Sequence, residues 1–155
     1  MTFTLDLDIA AEPAAVFGFV ADFANTPLWY SAVQRVERLH GAGGLGTEYA
    51  VHRRLPGGAV VNRVVVTSYV DGREITLTSV SGPTPFTYRY SVESAPKGVR
   101  LLLEGTISAA GLSGPGRLLG PVAERLFKRG MRDNLRILKD IIPPRSGHVA
   151  TLPIE

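Results

Sequence analysis

Tyr88 and Tyr90 share one side of the alternating run FTYRYSV with Phe86 and Val92, while Thr87, Arg89, Ser91 and Glu93 take the other. If that side faces the interior, two phenol hydroxyls enter an apolar space, where each needs a hydrogen-bond partner. The partner is either a protein group or a bound molecule, and the sequence leaves both open. A second polar residue keeps equally apolar company, in RLFKRGMRDNLRILKDII. At about 100° per residue, Arg125, Lys128, Arg129, Arg132, Arg136, Lys139 and Asp140 fall on one helix face. Ala123, Leu126, Phe127, Gly130, Met131, Asn134, Ile137, Leu138 and Ile141 fall on the other. Gly130 and Asn134 stand one turn apart. A mid-helix glycine costs about 1 kcal/mol relative to alanine. A buried amide without partners costs about 1–3 kcal/mol. Packing alone would avoid both. Room at Gly130 and one orienting hydrogen bond from Asn134 would suit a ligand. The alternative is an amide bonded to an inner tyrosine or a water, or a helix turned slightly from this projection.

Other candidate chemistry is weaker. His40, His52 and His148 lack metal-ligand spacing, and no carboxylate partner is evident for them, so they read as surface or rim residues rather than general bases. The face of His52 is uncertain, because it alternates with Tyr49, Val51 and Arg53. Asp6 and Asp8 lie on the polar side of the first strand, and Glu93 and Glu104 alternate with apolar residues in the same way. A carboxylate pair converging in a cleft is not expected. No G-x-S-x-G elbow supports a serine nucleophile. The run GAGGLG, Gly41 to Gly46, has the spacing of a dinucleotide loop but precedes a strand pattern, TEYAVHRR, instead of a helix. It reads as a turn, either a flexible hairpin at a cavity rim or a plain connection. With no cysteine, disulfides and thiolate chemistry are excluded. No metal or cofactor is expected.

These residues must be held by one domain, because the chain has 155 residues with 45% hydrophobic and 20% charged. MTFTLDLDIA lacks the features of a signal peptide, and no stretch reaches the length of a membrane span. A cytoplasmic protein is expected, without stable membrane insertion. Net charge is +3, with seven of the seventeen basic residues between Arg117 and Lys139. Stacking aromatics do not accompany them, which argues against nucleic acid and for a solvated helix face. A membrane- or partner-surface role for that face stays open.

TFTLDLDI alternates as a half-buried strand. AEPAAVFGFVADF then carries Pro13 in a first helical turn, and NTPLWYS a second short helix capped by Asn25. Six strand patterns follow, from Val33 to Ser108, separated by turn residues that include Asp71-Gly72. Short turns demand antiparallel pairing. After the breaker-rich GLSGPGRLLGP comes a long helix, about Leu118 to Ile142, stopped by Pro143 and Pro144. Residues 143–155 have no periodicity and are expected to be disordered. One antiparallel sheet must curl its apolar side around the long helix and leave its other side wet.

This order resembles the helix-grip fold of the START / birch-pollen-allergen / polyketide-cyclase (SRPBCC) superfamily, in its polyketide cyclase/dehydrase-like branch. AEPAAVFGFVADFANTPLWYSAV is similar to the opening of that family, GLGTEYAV to its glycine-threonine strand start, and VVTSYVDGREITLTSVSGPTPFTYRYSVES to its central hairpins. The resemblance covers about Thr2 to Ile142. It implies an α+β fold in which a curved seven-stranded antiparallel sheet surrounds the C-terminal helix, with two short helices after strand 1. Residues 1–142 would form the ligand-binding domain. It also implies a deep apolar cavity between sheet and helix. On the faces derived above, the cavity wall is assigned to Tyr49, Phe86, Tyr88, Tyr90, Phe127, Gly130, Met131, Asn134 and Leu138. The implied function is non-covalent binding of a hydrophobic small molecule, such as a lipid or polyketide, by a monomer or homodimer. A cyclase/dehydratase enzyme using the same cavity is the alternative, weakened by the lack of an acid–base pair.

Overall fold

The computed structural model describes residues 1–55, 57–108 and 120–144, and for residues 120, 121 and 123 the backbone only. The expectations for the tail from 145 onward, for His148, and for the start of the last helix at Leu118 lie outside the described residues. Strand β1 (Thr2–Ile9) is followed by helix α1 (Pro13–Ala21), a 3₁₀ helix (Phe23–Leu28), strands β2 (Val33–His40), β3 (Glu48–Leu55), β4 (Gly58–Val70), β5 (Glu74–Ser81), β6 (Phe86–Ala95) and β7 (Gly98–Ile107), and helix α2 (Gly120–Ile141). The strands form one antiparallel sheet in the order β1-β7-β6-β5-β4-β3-β2. Chain neighbours pair through hairpins, and β1 closes against β7 from Thr2↔Thr106 to Ile9↔Val99. The helix-grip α+β expectation holds.

Period-two alternation decides which side chains are inside. Phe3, Leu5 and Ile9 of β1, Leu101 and Leu103 of β7, and Ile75 and Leu77 of β5 are buried. A bulge after Val66 shifts the β4–β5 register, bends the sheet and returns Tyr69 to the core side, its ring 5.7 Å from Phe17 of α1. Gly105 stands opposite both Phe3 and Tyr88, and a Cβ there would collide with the Phe3 ring. Its bare backbone lets Phe3 lie edge-on to Tyr88 at 5.9 Å.

Two local expectations are corrected. Asn25 does not cap the second helix, which begins at Phe23; its amide donates to the Phe19 carbonyl instead. The buried stripe of α2 is Met131, Asn134, Leu135, Leu138 and, just past its end, Ile142, while Leu126, Gly130, Ile137 and Ile141 are exposed. The helix is turned toward Leu135, because its seat on edge strand β1 and the Phe3–Phe127 ring contact at 5.0 Å fix its rotation. No helix among the described residues is long and apolar enough to cross a membrane.

Candidate functional site

The β6 alternation brings Phe86, Tyr88 and Tyr90 to the inner face, all buried. Tyr30, in the irregular chain between the 3₁₀ helix and β2, comes down on them. Its hydroxyl lies 2.9 Å from that of Tyr88, with the two rings 21° from parallel. The Tyr90 hydroxyl is buried and has no hydrogen-bond partner among the described residues. Burial pushes the Tyr88 and Tyr90 phenols well above their ordinary value, and the nearby Tyr30 adds to it; burial raises Tyr30 as well. All three are therefore neutral near pH 7, suited to hydrogen bonding and poor as bases.

The same alternation on β3 places Tyr49, Val51 and Arg53 inside and His52 outside. Arg53 is 6% exposed, close to full burial for a guanidinium. Its Nε and Nη2 donate to Asn62 Oδ1 at 3.1 and 2.6 Å, and Nη2 reaches the Pro83 and Thr84 carbonyls and Thr84 Oγ1. Asn62, fully buried on β4, turns its amide nitrogen to Ser79 Oγ and the Ser81 and Pro83 carbonyls. The β5–β6 turn is thereby drawn onto the guanidinium. Thr84 holds a left-handed φ of 46°, and Gly82 sits where a Cβ would meet the Val61 carbonyl at 2.5 Å. Phe86 supplies a ring face 4.9 Å from the guanidinium carbon. Burial lowers the Arg53 pKa, yet the group stays a cation. Every acceptor it meets is neutral, and among the described residues no carboxylate reaches it.

Between these groups lies a space of about 10 Å³, lined by Tyr30, Arg53, Phe86, Tyr88, Tyr90 and neighbours from the 3₁₀ helix, β2 and β3. That is room for one water, so the deep cavity implied by the resemblance is closed here. Of the nine residues assigned to its wall, Phe86, Tyr88 and Tyr90 line this space. Tyr49 packs on Phe23, ring centroids 5.4 Å apart, and Met131 and Leu138 are core residues. Phe127 fills the gap between helix and sheet against Phe3. Gly130, expected beside Asn134 on the buried side, faces open space. Asn134 is 6% exposed, and its Oδ1 accepts the Ser31 N–H at 3.4 Å, joining α2 to the segment that carries Tyr30.

The expectation that the histidines lack carboxylate partners is also corrected. His40 meets Glu48 at 2.5 Å and His52 meets Glu37 at 3.2 Å, on the outer face of the sheet away from the tyrosines. Arg63 completes the Glu48 cluster, and these contacts hold its carboxyl below the ordinary value. In the glycine run, Thr47 Oγ1 accepts the Gly43 N–H and Gly46 donates to the Val66 carbonyl, so the turn is tied to the sheet. Among the described residues no cluster of three or more His, Cys, Asp or Glu could hold a metal.

A family model described as polyketide cyclase / dehydrase and lipid transport matches residues 1–142. The chain belongs to that family. No curated protein matches the chain by sequence. Among solved structures, a START superfamily protein from Mycobacterium smegmatis superposes with a TM-score of 0.74 at 16% identity, covering 91% of this chain and 96% of the other. The Zhui aromatase/cyclase from a Streptomyces species gives 0.66 at 15% identity, over 90% and 92%. The di-domain ARO/CYC BexL gives 0.68 at 21% identity, with 94% of this chain matching 50% of that one. At such identities the likeness is one of fold.

Within this polyketide cyclase / dehydrase and lipid transport fold, sequence reasoning missed Arg53 and Tyr30. Arg53 carried a signal, since it continues the Tyr49–Val51 alternation. Tyr30 carried none, because the segment that holds it has no period.

Proposed function

We propose that this chain binds an apolar small molecule, such as a lipid or polyketide, non-covalently between the sheet and its covering helices. The observation that carries the reading is the Tyr90 hydroxyl: buried, without a partner among the described residues, and in the wall of the small interior space described above. An unpaired buried hydroxyl costs about 1–3 kcal/mol, a cost that packing alone would remove with phenylalanine. A molecule in this space would give it a partner, and burial of apolar surface would supply affinity at about 25 cal/mol per Å². Titration with an uncharged environment-sensitive dye, alongside native mass spectrometry, tests this. One saturable site of unit stoichiometry is expected; fluorescence that never saturates would overturn it.

A cyclase/dehydratase activity on a poly-ketone is the second reading. Three phenols beside a guanidinium would polarise a ketone or enol oxygen. The binding reading is preferred because the residues lining the space include no histidine or carboxylate to move a proton. Conversion of a poly-β-ketone incubated with the protein, absent in the Tyr88→Phe variant, would reverse that preference.

A further inference from the structure

We propose that Arg53 makes this interior selective for an apolar acid, its guanidinium receiving a carboxylate or ionised enol oxygen of the bound molecule. The inference rests on the binding reading above and names the class of ligand it takes.

A guanidinium remains ionised wherever it is placed, and a buried charge demands a counter-charge or a full set of hydrogen bonds. Arg53 has only part of such a set. Nε and Nη2 are engaged by Asn62, Pro83 and Thr84, while Nη1, with two N–H groups, has no hydrogen-bond partner among the described residues. The residues lining the interior space are otherwise uncharged, so its wall carries one unneutralised positive charge. An anion is the complement to that wall. The guanidinium is also pre-oriented. Asn62 has every polar atom occupied, and the β5–β6 turn accepts a left-handed threonine to keep Thr84 on Arg53. With Nε and Nη2 fixed, the planar fork cannot rotate to follow a ligand, which adds selectivity to charge. The Tyr88 and Tyr90 hydroxyls border the same space, able to donate to a second anionic oxygen.

A purely structural role, with Arg53 as a staple for the β5–β6 turn, predicts something different. It makes the residue important for stability and indifferent to ligand charge.

The test displaces bound N-phenylnaphthylamine, an uncharged dye, with dodecanoic acid, dodecanol or methyl dodecanoate. Wild-type protein should favour the acid over both neutral analogues by about tenfold, the effect of a charge-assisted hydrogen bond. The ratio should persist in high salt, because a buried pair is little screened. Arg53→Gln should bring it to about one through weaker acid binding, read within the variant against dodecanol and methyl dodecanoate. Arg53→Lys, which keeps the charge, should retain a reduced preference. If Arg53→Gln does not fold, the wild-type ratio and the lysine variant still decide. Dye binding with equal displacement by acid and alcohol overturns the anion assignment and leaves the binding reading standing. An acid preference that survives in Arg53→Gln also overturns it. Failure of the dye and all three probes to bind overturns both.

Discussion

Three tyrosines around one interior space should respond to the same substitution with different signs. Tyr90→Phe removes a hydroxyl that is buried and unpaired, while the ring stays 6.2 Å from Trp29 in its edge-on contact. The gain is the desolvation cost of the lost hydroxyl, less a small packing loss, or about 1 kcal/mol net. Tyr30→Phe and Tyr88→Phe each break the 2.9 Å hydroxyl pair and strand the other hydroxyl in the interior. Each should cost about 1–3 kcal/mol, a lost bond plus a new unpaired group. The double variant strands nothing and should cost less than the two singles together, by a coupling of about 1–2 kcal/mol. For a chain of this size, 1 kcal/mol moves Tm by about 2–4 °C. Urea and thermal melts near pH 7 read these changes cleanly, since burial keeps all three phenols protonated there. A Tyr90→Phe variant that melts lower than wild type, or single costs that simply add, would refute the assignment of paired and unpaired hydroxyls.

Further outcomes follow from other contacts. Gly130→Ala should stabilise the protein by about 1 kcal/mol, because the site is an exposed mid-helix position where a Cβ meets nothing, and melts will show it. Asn134→Ala should cost only about 0.5 kcal/mol, since its bond to Ser31 is long at 3.4 Å, and amide exchange at Ser31 should quicken. For Glu48, hydrogen bonds from Arg63 and His40 depress the folded carboxyl below its ordinary 4.5. The stability this contributes is full above that value and is lost as pH falls through the folded value. Glu48→Gln should therefore flatten the acid limb of the stability curve and leave its slope above neutral pH alone.

Much of the architecture was legible because strands advertise themselves twice, by alternation and by turn chemistry. TFTLDLDI and FTYRYSV located strand faces that the registers reproduce, and Asp71-Gly72 located the β4–β5 hairpin, whose loop runs one residue longer, through Arg73. The orientation of α2 was harder to read. Its apolar residues span a broad arc, and the projection put Leu126 on the buried face and left Leu135 off it; contact with β1 and the Phe3–Phe127 pair set the other rotation. The inner polar groups were legible in proportion to their regularity. Tyr88 and Tyr90 follow period two. Arg53 follows it as well, but a charge at an inward position contradicts the burial rule, and only the Asn62–Thr84 network shows how that contradiction is met. The size of the interior space was not legible at all, since it depends on how Tyr30 descends from a segment without repeat.

That segment explains how a closed interior can belong to a binding fold. The sheet side of the space is held by hydrogen-bond ladders on both flanks of β3 and β6. The opposite side is a six-residue 3₁₀ helix with Pro27 inside it and no side-chain cap at its start, followed by Trp29, Tyr30 and Ser31. Hydrogen bonds in such a helix are poorly aligned. Besides its own turns and its packing on β2 and α1, this side is tied down by the Asn25–Phe19 bond, the Phe23–Tyr49 and Trp29–Tyr90 ring contacts, the Tyr30–Tyr88 pair and the long Asn134–Ser31 bond. On the binding reading proposed above, a molecule entering beside Arg53 would displace Tyr30 and offer Tyr88 an oxygen in exchange, so the interior would lose one hydrogen bond and regain another. On the same reading Asn134 would act through the chain itself: its amide would help set how firmly α2 holds the segment carrying Tyr30.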